Sequence, residues 1–297
     1  MEGYLKSPIN YTGNKYKLLD QIIPMFPRHI GTFADVFGGS GTVLLNVDAE
    51  SYIYNEYIGY VYDMFNGFVN CEYADIMSRI DLIIDKYALS KTNQEGYLKM
   101  RDDYNNGLGD WVMLYALCSY AFNNHGRFSF GGKRFNMPFG WNKSHISEVQ
   151  RENIRKMKSV FRDKNVECLN LSFEMIDYSR FGKDDFVYFD PPYYGSLGVY
   201  NEKRKISSDG KTNGWTLEQE AVLCDIADEL DSRGVRFALS NNLKYGNPIL
   251  EKMCGKYHTH HLGSKYRNAS YHKSDRDDDD EILVVNYDVL ENKNKLF

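Results

Sequence analysis

One stretch near the N-terminus leaves few folds open. Residues 31–37 form an apolar run that leads into Gly38-Gly39-Ser40-Gly41; a helix start follows at Thr42, and a second apolar run, 51–56, ends on Glu56. A strand, a glycine turn, a helix and a strand ending in an acid make up the repeating unit of a doubly wound α/β sheet. Such sheets bind ligands outside the carboxyl ends of their strands. Gly39 and Gly41 would let the backbone approach a ligand where a Cβ could obstruct it. Leu44 stands where a GxGxxG fingerprint has its third glycine, which argues against a dinucleotide enzyme. Glu56, 15 residues beyond Gly41, can accept hydrogen bonds from both hydroxyls of a ribose. Asp35 is placed to meet a ligand ammonium or a backbone amide. A glycine turn of purely structural role shows the same pattern.

The same rhythm returns late in the chain. Helical spacing at 145–161 leads to a strand at 165–171, a strand at 185–190, a helix at 216–233 and a strand at 235–240, with further strands near 256–263 and 281–288. Between these halves, residues 63–87, 94–105 and 111–122 carry helical periodicity, and the glycine- and aromatic-rich stretch 123–140 reads as a hairpin or loop. The expected organisation is one α/β domain, residues 1–56 and 145–297, interrupted by an inserted helical and hairpin subdomain, residues 57–144.

The strand at 185–190 ends in Asp190-Pro191-Pro192-Tyr193. Two prolines hold the backbone extended and remove the amide of Pro192 as a partner for the Pro191 carbonyl. Asp190 and that carbonyl are then two acceptors at one point, with an aromatic ring beside them. The exocyclic amine of adenine or cytosine is a poor nucleophile because its lone pair is delocalised into the ring. Two acceptors can hold its hydrogens, draw the nitrogen toward tetrahedral geometry and aim the lone pair at an electrophilic methyl group. Tyr193 can stack on a base taken out of a duplex, returning about 1–3 kcal/mol against an extraction cost of a few kcal/mol. A stiff loop with an incidental acid and tyrosine is the competing reading.

Net charge is −5, so the chain as a whole does not attract nucleic acid. Between residues 123 and 162, however, nine Lys and Arg stand against two Glu, an excess suited to a phosphate backbone and also to a solvated helix face. The loop 195–214, with Lys203, Arg204, Lys205 and Lys211, is expected to close over DNA, whereas the acidic run Asp277 to Asp280 should repel it. His258, His260 and His261 lack a Cys or acid at ligand spacing, and no metal is expected. Five cysteines without CxxC spacing fit a reducing compartment. With neither an apolar span nor a signal-like N-terminus in the sequence, a cytoplasmic location and no membrane partner are expected.

With these residues in place, the chain resembles the DNA adenine methylase (Dam) family, and the resemblance runs in order along nearly the whole sequence. Residues 9–19, with Tyr11, Gly13 and Lys15, look like the segment that cups the methionine part of S-adenosylmethionine. Residues 35–41 match the family's acid–x–Phe–x–Gly–x–Gly turn, which implies cofactor roles for Asp35, Phe37, Gly39 and Gly41. Glu56 occupies the ribose-acid position; Ser172-Phe173, with Phe173 17 residues before Asp190, resembles the segment packed on the cofactor adenine. Residues 238–241 resemble the strand end beside the tetrad. The family's hairpin that enters DNA corresponds to residues 122–140, with 135–140 close to its FNxPFG. This implies DNA-binding roles for Phe122, Asn123, Arg127, Lys133, Arg134, Asn136 and Pro138. Arg127 aligns with an arginine that reads guanine in GATC-specific relatives. His125, Trp141 and one inserted residue depart from that pattern and leave the recognition sequence open.

The resemblance implies a Rossmann-like S-adenosylmethionine-dependent methyltransferase sheet with helices on both faces, acting on adenine N6 in double-stranded DNA. Asp190, Pro191, Pro192 and Tyr193 would be the catalytic group. Asp190 would also contact the cofactor. It further implies a monomer or weak dimer in the cytoplasm of a bacterial or phage-infected cell, in contact with the nucleoid. Methylation of another planar amine, such as a protein glutamine or an RNA base, shares the tetrad. A catalytically silent DNA-binding regulator would share the hairpin, but would not need Tyr11, Lys15, Glu56 and Asp190 intact.

Overall fold

Alternation along the strands builds the molecule. A computed structural model describes residues 3–126, 128, 134–195, 205–206, 212–263 and 281–289. Its strands are Thr32–Asp35 (β1), Ser51–Asn55 (β2), Asn165–Leu169 (β3), Phe186–Phe189 (β4), Lys205–Ile206 (β5), Thr212–Asn213 (β6), Arg236–Asn242 (β7), His258–His261 (β8) and Glu281–Val285 (β9). On β4, Phe186 and Tyr188 enter one apolar cluster while Val187 and Phe189 enter another. Strand β1 divides Phe33 from Ala34 in the same way, and β2 divides Tyr52 and Tyr54 from Ile53. A period of two with both faces apolar is what a sheet covered on both sides requires.

Helices supply the cover. Leu19–Ile22 (α1), Gly59–Asn70 (α2), Tyr73–Lys86 (α3), Gln94–Asn105 (α4), Trp111–Tyr120 (α5) and Glu148–Phe161 (α6) contribute to the first cluster. Leu217–Ser232 (α7) and Pro248–Lys256 (α8) contribute to the second. The expected helices on both faces are therefore present. Their starts are written locally. Asp110 accepts from the Val112 and Met113 amides, Ser147 with Gln150 and Thr216 with Gln219 form capping boxes, and Asn247 caps α8 ahead of Pro248. Helices α2–α5, all within residues 57–144, share their core with the sheet.

Seven strands form one sheet in the order β3-β2-β1-β4-β7-β9-β8, with β5 and β6 paired separately. The first five run parallel; β9 is antiparallel to both β7 and β8. From β1 the chain winds outward to β2 and β3, then returns to place β4 on the other side of β1. The switch point thus lies between the carboxyl ends of β1 and β4, where a crevice must open.

Two expectations need correction. The glycine turn does not start an α-helix; only the 3-10 turn Leu44–Asn46 follows. Asn46 ends it. Its side-chain amide donates to the carbonyls of Leu5 and Thr42, its oxygen accepts from the Leu5 amide, and Val47 turns extended. The helical stretch 63–87 is two helices, parted where Cys71 and Glu72 adopt extended backbone. Helix α8 was not anticipated from the sequence; it starts at the Asn247 cap with Pro248 in its first turn.

Candidate active site

Three acids converge at the switch point. Asp35 closes β1, Glu56 follows β2 and Asp190 follows β4. The turn after β1 is pinned to the sheet by the Val36 amide on the Tyr188 carbonyl (3.0 Å) and the Gly38 amide on the Asn55 carbonyl (2.8 Å). Gly39 and Gly41 have φ of +50° and +69°, where a side chain is strained. Their small size also serves the packing. A Cβ on Gly41 would come within 2.1 Å of the Phe65 ring and one on Gly39 within 3.1 Å of Tyr11, so both glycines make room for the protein's own rings.

The Glu56 carboxylate is aimed by the backbone. One oxygen accepts from the Gly39 amide at 2.9 Å and the other from the Ile58 amide at 2.8 Å. A cavity of about 720 Å³ opens here. Its wall includes Tyr11, Gly13 and Lys15, then Asp35, Phe37, Gly39 and Glu56, then Ser172 and Phe173, and finally Asp190 and Pro192. Gly41, Pro191 and Tyr193 stand outside that wall. Residues as far apart in sequence as Tyr11 and Gln219 are thereby brought to one space.

At one end of the cavity Phe37, Phe173 and Trp215 form an aromatic corner with ring centroids 5.1–5.5 Å apart. The Trp215 indole donates to Glu220, a fully buried carboxylate that also accepts from the Asn241 amide at 3.2 Å. Burial pushes the Glu220 carboxyl up, and the hydrogen bonds from Trp215 and Asn241 pull it back. Trp215 and Glu220 were missed in the sequence, where Glu220 looks like one more acid on a charged helix.

At the other end the Lys15 ammonium meets Asp190 at 2.6 Å, both side chains being under one-fifth exposed. Burial pushes the Asp190 carboxyl up and the Lys15 charge pulls it back, leaving it at about 6. Burial alone would lower Lys15, but Asp190, Tyr188 and Glu281 outweigh it and hold the ammonium above its ordinary value. The same ammonium lies 5.2 Å from the centre of the Tyr193 ring. Tyr193 donates its hydroxyl to Glu281 at 2.8 Å. Beneath the tetrad, Tyr188 and Ser240 share a hydrogen bond of 2.7 Å that ties β4 to β7.

Between the two ends sits an orphan. Asp35 is 2% exposed and its Oδ1 has no hydrogen-bond partner. Burial, Asp190 and Glu56 push its carboxyl well above the usual range. A buried oxygen without a partner is costly even though the Lys15 charge and the Leu44 backbone partly offset the burial of this carboxyl, and a cation delivered to the cavity would relieve it.

The hairpin region lies beyond Tyr11. Ala121 pairs with Phe139 and Phe128 with Phe135, both antiparallel. Along 134–139 the side chains alternate: Phe135, Met137 and Phe139 are buried, while Arg134, Asn136 and Pro138 are exposed. Helix α4 holds this limb with residues spaced four apart. Asn105 exchanges two hydrogen bonds with the Phe135 backbone, at 2.7 and 3.0 Å, and Tyr97 and Arg101 both donate to the Met137 carbonyl. Phe122 is 53% exposed; Asn123 and Asn124 adopt φ of +58° and +55°, their carbonyls clasped by the Asn10 side chain. Arg127 and Lys133 lie outside the described residues, as does most of the loop 195–214 and the acidic run Asp277 to Asp280.

The basic run is partly spent inside the molecule. On α6, Arg151 pairs with Asp81, Arg155 and Lys156 with Glu152, and Lys158 donates to the Val69 carbonyl. Among the described residues no three His, Cys, Asp or Glu group as metal ligands, and no helix is long and apolar enough to cross a membrane.

Comparison with known proteins matches this arrangement to one family. The profile of the D12 class N6 adenine-specific DNA methyltransferases matches residues 11–277. Type II methyltransferase M.FokI of Planomicrobium okeanokoites is 37% identical over 288 residues, 96% of this chain and 43% of that protein. Modification methylase StsI of Streptococcus sanguinis is 36% identical over 96% of this chain and 43% of its own length. A DNA adenine methylase of Salmonella typhi is 26% identical over 79% of this chain and 80% of its own. The chain thus spans less than half the length of the first two relatives. With its matched segment running from the Tyr11 end of the cavity past the tetrad, the chain belongs to the D12 class N6 adenine-specific DNA methyltransferase family.

Proposed function

We propose that this chain transfers the methyl group of S-adenosylmethionine to N6 of an adenine taken out of duplex DNA. The observation that carries the reading is the single cavity whose wall holds Glu56 and the aromatic corner as well as Asp190. S-adenosylmethionine fits the residues present: it brings an ammonium for the orphaned Asp35 oxygen, ribose hydroxyls for Glu56 and a flat adenine for Phe37, Phe173 and Trp215. When bound, it supplies an electrophilic methyl group.

The chain's own residues supply alignment and polarisation. Asp190 and the Pro191 carbonyl accept the two N6 hydrogens, so the nitrogen lone pair leaves the plane of the base. Lys15 keeps Asp190 ionised in a buried place. Tyr193 stacks on the base and offsets part of the cost of its extraction. Methyl transfer moves the positive charge from sulfur to N6, and loss of one N6 proton to water then leaves neutral N6-methyladenine; Asp190, paired with Lys15, holds the amine hydrogens without having to act as a strong base. Residues 57–144 serve as the target-recognition part, with Phe122, Asn123, Arg134, Asn136 and Pro138 toward DNA and Arg127 and Lys133 assigned there from sequence. The names of the relatives support a place in bacterial modification of DNA.

Incubation with tritium-labelled S-adenosylmethionine and a panel of unmethylated duplex DNA, RNA and protein tests this. Label should enter DNA alone, as N6-methyladenine. Label in protein or RNA and none in DNA would overturn the proposal.

A further inference from the structure

The Tyr193 side chain is held at both its ring and its hydroxyl, and the second hold comes from a residue far along the chain. Glu281 opens β9. Its backbone is fixed on two sides: it lies opposite Asn242 of β7 in the antiparallel register, and its carbonyl accepts from the Leu262 amide at 2.8 Å. Its carboxylate faces the tetrad, with one oxygen on the Tyr193 hydroxyl at 2.8 Å and the other within 3.4 Å of the Asn242 amide. From Asn242 the polar line continues. Its backbone amide donates to Asn241 Oδ1 at 2.8 Å, and Asn241 donates to Glu220, which holds Trp215.

A tyrosine after two prolines can swing about two side-chain torsions. Stacking on a captured base requires one ring plane, and selecting that plane before the base arrives removes an ordering cost from base capture. A hydrogen bond to an ionised acceptor is strong enough to do so. The acceptor sits on a strand of the main sheet, whose pairing holds its backbone in place.

We infer that Glu281 is a positioning residue for base capture, setting the plane of the Tyr193 ring through its hydroxyl. The inference rests on the stacking role proposed for Tyr193. It makes the hydroxyl of that tyrosine functional, whereas stacking alone needs only the ring.

The test is a set of variants assayed for methyl transfer to unmethylated plasmid DNA, with S-adenosylmethionine affinity measured separately. Tyr193→Phe and Glu281→Ala should each lower kcat/KM for DNA by roughly tenfold while cofactor Kd changes by less than about twofold. Glu281→Gln, which retains an acceptor oxygen, should recover most of the loss. The double variant Tyr193→Phe/Glu281→Ala should be no worse than the poorer single variant, because both remove one contact. Tyr193→Phe removes that contact without touching β9, so it answers the question even if Glu281→Ala folds poorly. Full activity of Tyr193→Phe beside an inactive Tyr193→Ala would overturn the inference and leave stacking intact. Full activity of Tyr193→Ala would overturn both. Additive losses in the double variant would show that Glu281 acts elsewhere.

Discussion

At the carboxyl edge of the sheet the reactive side chains are themselves tied down, while in the hairpin limb 134–139 it is the backbone that is tied. Lys15 holds Asp190, two amides hold Glu56, and Glu281 holds Tyr193. In the hairpin, Tyr97, Arg101 and Asn105 grip the Phe135 and Met137 backbone and leave Arg134, Asn136 and Pro138 facing outward. The first arrangement fixes functional atoms, as chemistry demands. The second fixes a path and leaves the outward side chains replaceable, which suits the DNA-reading role proposed for this limb. The two regions meet at Asn10, next to Tyr11, whose side chain clasps the turn at Asn123 and Asn124.

The sharpest way to break this contrast is at Lys15. Asp190 sits at about 6, so the wild-type rate should be retained above that pH and lost below it as the carboxylate takes a proton. Lys15→Met removes the charge that lowers Asp190, so its carboxyl should move higher and be largely protonated at neutral pH. The rate at pH 7 should fall roughly a hundredfold and recover in part as pH rises, in a pH profile of single-turnover transfer. An acid limb left in place would show that Lys15 does not set the charge of Asp190.

Asn105→Ala probes the other region. Loss of both contacts to Phe135 should cost about 2 kcal/mol of stability and roughly tenfold in DNA affinity, with cofactor affinity unchanged. Thermal melting with DNA and cofactor titrations would check this; a parallel loss of cofactor affinity would join the regions that the structure separates.

Asp35 offers a smaller effect. Its carboxyl is pushed well above the usual range, and an ammonium placed on it would draw the proton off. Cofactor binding should then release a proton, and Kd should tighten with rising pH by up to about tenfold per unit while Asp35 titrates. Calorimetry in buffers of different ionisation heat would show the release, and Asp35→Asn should abolish it. Smallest of all, Arg134→Ala should weaken DNA binding a few-fold and reduce the salt dependence of log K by about one.

How far these features could be read from the sequence follows from how local their causes are. The strand ends at Asp35, Glu56 and Asp190 were legible because an apolar run that stops at an acid is written in consecutive residues. The capping boxes at Ser147 and Thr216 are equally local. Glu281 was not legible, since its partner Tyr193 is reached only when β9 pairs with β7 and β7 with β4; Glu220 has its Trp215 partner five residues away, but its Asn241 partner comes only with β7. The helix expected after Gly41 failed for the same reason: Asn46 is a helix-compatible residue until Leu5 arrives to compete for its amide. The internal pairings of the basic run were not legible because Asp81 and Val69, which occupy Arg151 and Lys158, come from other helices. Lys15 was read as a cofactor residue by resemblance; that it also pairs with Asp190, 175 positions away, needed the fold.

The central claim is that Asp190 works as a hydrogen-bond acceptor for the amine and not as a binding determinant. Single-turnover transfer by Asp190→Ala, which deletes the acceptor, tests it most directly, with Kd for S-adenosylmethionine and for DNA measured on the same preparation. The methyl-transfer step should slow roughly a hundredfold or more while both Kd values stay within about threefold. A near-normal rate, or a loss explained wholly by weaker binding of either ligand, would contradict the account.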